Sequence, residues 1–229
     1  MSVDTEALAD FVADRLHDVA DTNKAGPMAA YMKTDMPFYG VQKAGRVPIL
    51  RDTVTRFQPA DRGEYRSAIG ALWARPHREE KYLAIGYARS FPEFVTLSSV
   101  PLYRRMIVEG AWWDLVDETA IHLIGDVLHH QRDGMTPKIE AWIDDRDMWL
   151  RRTSILAQIG HKDATDVDLL FDACERRMHE TEFFIRKAIG WALRDYAKTD
   201  PNGVTTFVTE HRGELSGLSY REATKHLDV

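Results

Sequence analysis

Two stretches of this chain repeat each other at an interval of 35 residues. Trp149-Leu150-Arg151-Arg152-Thr153-Ser154-Ile155-Leu156 and Phe184-Ile185-Arg186-Lys187-Ala188-Ile189-Gly190-Trp191 both read aromatic, aliphatic, basic, basic, small, small or aliphatic, then apolar. One more step back from Arg152 lands on Asp117, inside Trp112-Trp113-Asp114-Leu115-Val116-Asp117. Ala84-Ile85-Gly86-Tyr87 is a more distant echo of Ala188-Ile189-Gly190-Trp191. A period in the mid-thirties with two helices per unit is the signature of a helical solenoid, and the competing architecture is an irregular helical bundle.

The rest of the pattern agrees with helices. Leu8, Phe11, Val12, Leu16 and Val19 follow the spacing of a one-faced amphipathic helix. Further helices are predicted over roughly 27–35, 48–57, 61–74, 77–90, 92–109, 113–130, 137–145, 148–160, 166–178, 182–198, 200–211 and 219–227. Gly, Pro and Asp-rich separators punctuate them. No segment alternates with β-branched enrichment as a strand would, so the expected class is all-α. No linker or low-complexity tract interrupts residues 1–229, which are read as a single HEAT-like repeat domain. Seven of the nine prolines lie at or before Pro101, so the front is cut into shorter pieces than the back.

In a solenoid, equivalent positions of successive repeats stack as a column along the concave surface. Here the column reads Asp117, Arg152, Lys187. Trp113 lies one turn before Asp117 and Trp191 one turn after Lys187, so each shares its neighbour's face. Two tryptophans, one carboxylate and two cations then face one groove, an odd collection for a core. The bland alternative makes one tryptophan core and the other an interface cap, places Asp114 at a helix N-terminus, and leaves the cations as a solvated face.

Other chemistries are set aside. There is no GxGxxG, P-loop or HExxH motif. His129 and His130 are adjacent and cannot share a helix face; with His122 they are the one metal idea, and no metal site is expected. The single cysteine, Cys174, excludes a disulfide framework or a multi-Cys zinc site and reads as a structural thiol. No apolar run reaches the roughly 18 residues of a membrane span. The N-terminal residues carry acids where a secretory signal carries Lys or Arg, so a cytoplasmic protein is expected. The net charge of −6 argues against a general nucleic-acid binder. That charge is uneven, however: residues 1–100 hold 13 bases and 13 acids, and residues 101–229 hold 17 and 23.

The chain resembles the AlkD-type DNA glycosylases, HEAT-like proteins of bacterial alkylation repair. The matching stretches are PMAAYMKTDMPFYGVQ (27–42), AWWDLVD (111–117), DMWLRRTSIL (147–156), FFIRKAIGWALRDYAKTDP (183–201) and LSYREATKHL (218–227). They span nearly the whole chain in family order. The resemblance implies a right-handed solenoid of about six helix pairs whose concave face cradles duplex DNA. It implies hydrolysis of the N-glycosidic bond of cationic alkylpurines such as 3-methyladenine and 7-methylguanine, without full base flipping and without metal or organic cofactor. Asp117 matches the family's catalytic carboxylate, and Trp113 and Trp191 match the aromatics that contact the lesion's sugar. Arg152 matches the arginine that holds the backbone near the lesion; Tyr31 and Gln42 match further positions of the concave face. Lys187, from the column, joins the DNA-binding set. One departure is Gly160, with His161 and Lys162 adjacent, where a basic residue is expected.

The implied product is an abasic site, the implied partner is double-stranded DNA containing alkylated purines, and a monomer needing no protein partner is expected, nucleoid-associated when bound. Bulky adducts are open alternatives to simple methyl lesions. A non-catalytic DNA-binding scaffold on the same fold, recognising bent or branched DNA, is the rival reading, and a protein-binding HEAT adaptor is a third. The acidic run Asp163, Asp166, Asp168, Asp172 and Glu175 falls between the matched inner helices and is expected on the convex layer.

Overall fold

The computed structural model describes residues 3–227. Its regular elements are all helical, with no strand among the described residues. They fall into two compact units, one ending at Val95 and the other beginning at Thr96.

The first unit contains α1 (Thr5–Asp18), α2 (Thr22–Met32), α3 (Lys43–Arg56), α4 (Arg62–Ala74) and α5 (Arg78–Arg89). Asp4 and Asp61 start α1 and α4 by accepting first-turn backbone N–H groups. α1 packs on α3 and α4, and α3 on α5. Leu8, Val12 and Leu16 of α1 and Ile69 and Leu72 of α4 are fully buried, each contributing roughly 1.5–3 kcal/mol by leaving water. A carboxylate ties the loop between α2 and α3 to this core. Glu79, fully buried, accepts N–H bonds from Tyr39 (3.1 Å), Gly40 (2.9 Å) and Val41 (2.9 Å). Gly40 takes φ +85°, and a Cβ there would stand 2.0 Å from the Asp21 carbonyl oxygen. Only glycine permits that approach.

The second unit contains α6 (Val100–Gly110), α7 (Trp113–Thr119), α8 (Gly125–His130), α9 (Arg132–Ile143), α10 (Met148–Leu156), α11 (Val167–Arg177), α12 (Phe183–Tyr196), α13 (Pro201–Glu210) and α14 (Gly217–Ala223). α7, α10, α12 and α14 pack in succession as one layer, and α9 and α11 pack on each other beside it. The 35-residue interval is thus the distance between successive helices of that layer. The Ser219 hydroxyl joins the last two by donating to the Arg186 carbonyl (2.9 Å). Asp163, Asp168, Asp172 and Glu175 are exposed on α11 and the turn before it, in the other layer.

Three helices begin earlier than expected. Helices predicted to start near Pro27, Pro48 and Pro137 start at Thr22, Lys43 and Arg132, with each proline in the second turn. Upstream groups already hold those first turns: the Asp21 side chain accepts from Asn23 N–H, and the Gln42 and Gln131 carbonyls each accept two N–H groups. The helix expected over 113–130 runs unbroken but contains a π turn at Ala120–Ile124 between α7 and α8. Residues 92–99 form two short 3₁₀ turns before α6.

Candidate active site

α6 is capped by Ala111, in the left-handed conformation at φ 36°, and α7 begins two residues after that cap. This tight reversal separates the two adjacent tryptophans. Trp112 turns into an aromatic cluster, 6.1 Å from the Trp149 ring and 5.3 Å from Phe184. Trp113 opens α7, half-buried and stacked on no other ring among the described residues. Asp114 lies in the first turn of α7, as the dipole argument expects, and Asp117 one turn after Trp113.

Asp117 is 8 % exposed and Arg152 of α10 is 3 % exposed, so both charges are buried. They meet side-on: Arg152 Nε donates to Asp117 Oδ1 at 2.7 Å and Nη2 to Oδ2 at 2.8 Å. The third guanidinium nitrogen, Nη1, donates to the Phe184 carbonyl, and the guanidinium carbon lies 5.8 Å from the Phe184 ring centroid. All three nitrogens of Arg152 are therefore engaged inside the protein. The arginine that the resemblance matches to a DNA-backbone contact is bonded here to the carboxylate and the Phe184 carbonyl through three of its five N–H groups. Burial pushes the Asp117 pKa above the ordinary carboxylate value, while the Arg152 hydrogen bonds and charge pull against it.

The next two members of the column pair in the same way. Lys187 Nζ donates to Glu222 Oε1 at 2.6 Å, and Arg194 Nη1 donates to Glu222 Oε2. The Lys187 bond, then burial opposing it, leaves the Glu222 pKa lowered. Glu222 lies 35 residues after Lys187 and closes a row that sequence reasoning ended one step early. Trp191, one turn beyond Lys187 on α12, is half-buried and, like Trp113, stacks on no ring among the described residues.

Tyr31 and Gln42 belong to the first unit, where both line a cavity of about 500 Å³. Tyr31 is 73 % exposed. Gly160 takes φ +89° just past α10, and its N–H donates to Asp195 at 2.7 Å. A basic side chain there would meet left-handed strain, which accounts for the glycine. His129 stacks edge-on with His130 and His161, and burial pushes the His161 pKa down to about 4. Among the described residues no group of three or more His, Cys, Asp or Glu could hold a metal ion, and no helix is long and apolar enough to cross a membrane.

A model of the family described as DNA alkylation repair enzyme matches residues 12–227. The chain belongs to that family. This DNA alkylation repair family member is similar to a solved structure described as a predicted DNA alkylation repair enzyme from Enterococcus faecalis. The two share 31 % identity over 91 % of this chain and 97 % of that one, with a TM-score of 0.79. More distant likenesses show the fold alone. AlkD2 from Streptococcus mutans is 14 % identical, with TM-score 0.66 over 89 % of this chain and 99 % of that one. The protein smu.31, also from Streptococcus mutans, is 15 % identical, with TM-score 0.61 over 78 % and 91 %. No curated protein matches the chain. The helical repeat expected from the 35-residue interval is the architecture of these relatives.

Proposed function

We propose that this repair-family member is a monofunctional DNA glycosylase that hydrolyses the N-glycosidic bond of cationic N3- and N7-alkylpurines in duplex DNA. The observation that carries this reading is the buried Asp117 carboxylate, held bidentately by Arg152, in the helix layer that also carries the half-buried Trp113 and Trp191. An N-alkylated purine already bears positive charge and leaves without a general acid. A single carboxylate therefore suffices where ordinary glycosidases use two.

As the bond breaks, positive charge moves onto the sugar as an oxocarbenium ion. Arg152 occupies one lone-pair site on each Asp117 oxygen; a carboxylate offers about four. The remaining sites can face the oxocarbenium ion and orient or deprotonate the attacking water. Trp113 and Trp191 present π faces to the same cation, each worth roughly 0.5–2 kcal/mol. Arg152 acts here as a positioning residue that keeps a buried carboxylate ionised, and its two remaining N–H groups keep it a candidate for the DNA backbone. Lys187 remains a candidate for phosphate contact, as do Tyr31 and Gln42 for the DNA surface. Lys187 is engaged by Glu222 and no other lysine stands in the Asp117, Arg152, Lys187 column, which supports an abasic-site product over a Schiff base. The same reading takes residues 1–229 as one working domain, a cytoplasmic monomer needing neither metal nor organic cofactor.

The test is release of free base from duplexes containing 7-methylguanine, 3-methyladenine or a bulky N3 adduct, by wild type and Asp117→Asn. Wild type should release the base and the variant should lose activity by orders of magnitude. Equal rates would remove Asp117 from the mechanism. Salt-sensitive duplex binding without any base release would favour the non-catalytic scaffold.

A further inference from the structure

Helix α2 buries none of its residues, yet it ends in the uncharged run Pro27-Met28-Ala29-Ala30-Tyr31-Met32. Two thioethers and a phenol thus sit on a helix that the core of its own unit does not cover. Such apolar surface marks an interaction site more often than it marks packing. The helix is nonetheless firmly placed. Asp21, before its first residue, donates its N–H to the Tyr39 carbonyl (2.9 Å), and Glu79 fixes residues 39–41 in turn.

Met28, Tyr31 and Met32 line the cavity of about 500 Å³ together with Tyr82 of α5. The Arg46 guanidinium lies 4.3 Å over the Tyr82 ring and donates to the Val41 carbonyl at 2.7 Å. Lys24, bonded to Asp21 at 2.8 Å, and the exposed Lys43 complete three cations in the lining. No Asp or Glu is among the described lining residues, in a chain where acids outnumber bases 36 to 30. Asn23 and Gln42 add two amides that can both donate and accept. Soft apolar walls, a cationic edge and two amides fit a flat heteroaromatic ring that carries a phosphate.

We propose that this cavity takes one unstacked, undamaged nucleotide of a DNA strand, distinct from the lesion that stays stacked, its base against Met28, Tyr31 and Met32 and its phosphate toward Lys43 and Arg46. The exposure of Tyr31, Gln42 and Lys43 favours a strand over a free nucleotide, because the chain must enter and leave. The proposal rests on the reading of this protein as one that handles DNA, and is separable from the chemistry at Asp117.

Fluorescence anisotropy with two undamaged duplexes tests it, one fully paired and one carrying a single-nucleotide bulge. Wild type should bind the bulged duplex about tenfold more tightly, the order of change that stacking one base on aromatic side chains gives. Met28→Glu, which sets a carboxylate against the base and its phosphate, should remove the preference while paired-duplex binding persists. Tyr31→Ala, at an exposed position the core does not need, should reduce it also. Equal wild-type affinity for both duplexes, or a preference that survives in both variants, would overturn the proposal. Competition by excess deoxyadenosine monophosphate without any bulge preference would assign the cavity to free nucleotides and overturn the strand as its occupant. Bulge preference without base release would sink only the glycosylase reading, and base release without bulge preference only this one.

Discussion

Glu222 stands to Lys187 as Asp117 stands to Arg152: each pair joins neighbouring helices of one layer across 35 residues, through an ion pair no longer than 2.8 Å. The two pairs differ in exposure. Arg152 is sealed, whereas the Lys187 side chain is 38 % exposed and can exchange its partner. Glu222→Gln should therefore release Lys187 and Arg194 to phosphates. Undamaged duplex should bind more tightly, with a salt slope steeper by about one for each cation freed. An unchanged slope in a salt titration would show that Lys187 does not reach DNA. Glu222, with its lowered pKa, contributes stability above its unfolded pKa that is lost as pH falls through the folded one.

Arg152→Ala leaves Asp117 buried without its partner, a change that typically costs about 3–5 kcal/mol. Chemical denaturation should show that loss, and the Asp117 pKa should rise further. Arg152→Lys should recover only part of it, since an ammonium cannot meet both carboxylate oxygens side-on. Asp117→Asn with Arg152→Ala should cost less than the two single changes summed.

The acid limb of the single-turnover rate should lie above the usual aspartate pKa of about 3.9, because burial raises that of Asp117. The sign for stability is opposite to that of an ordinary ion-paired carboxylate. A raised folded pKa gives a contribution fully present below the unfolded value and lost as pH rises through the folded value. In Asp117→Asn that part of the pH–stability profile should flatten. A wild-type acid limb at or below about 3.9 would show that Asp117 does not govern the rate.

If departure of the purine relies on its own positive charge, neutral adducts should react far more slowly. Release of 1,N6-ethenoadenine should fall at least about a hundredfold below that of 7-methylguanine, the lower range for supplying a missing general acid. Comparable rates would mean that the protein protonates the base, which a lone carboxylate does not explain.

Glu79→Ala removes the acceptor of three backbone N–H groups at once. With a buried orphan donor costing about 1–3 kcal/mol, a loss above about 3 kcal/mol is expected. Hydrogen exchange at Tyr39, Gly40 and Val41 should accelerate more than exchange in α4.

The sequence carried the helical class and the interval because repetition and apolar period are local signals. Asp117, Arg152 and Lys187 were legible as a column for the same reason. Glu222 was within reach, one further interval on, but its block lacks the aromatic lead of the other two. Which of Trp112 and Trp113 turns inward was not legible, because the left-handed residue that decides it is an alanine, not a glycine. The bond between Arg152 and Asp117 was not legible for a related reason: side-chain type points to an anion, while which anion it meets is a tertiary fact. The early starts of α2, α3 and α9 were hidden because proline looks like a first residue, and the groups that hold those turns lie upstream.

The π turn after Asp117 has an arithmetic behind it. Leu115-Val116, Thr119-Ala120, Leu123-Ile124 and Val127-Leu128 are four adjacent pairs, all fully buried, spaced at a strict interval of four residues. An α-helix advances about 100° per residue, so each interval overshoots a full circle by about 40°, and three intervals by about 120°. The wider turn at Ala120–Ile124 takes up most of that surplus, about 100° for one extra residue, since its hydrogen bonds span five residues instead of four. The chain can therefore keep its four buried pairs in one stripe, each pair about 100° wide, and still leave Asp117 beside them. The carboxylate sits at the margin of an apolar stripe that stays in line because the helix after it has been unwound by part of a turn.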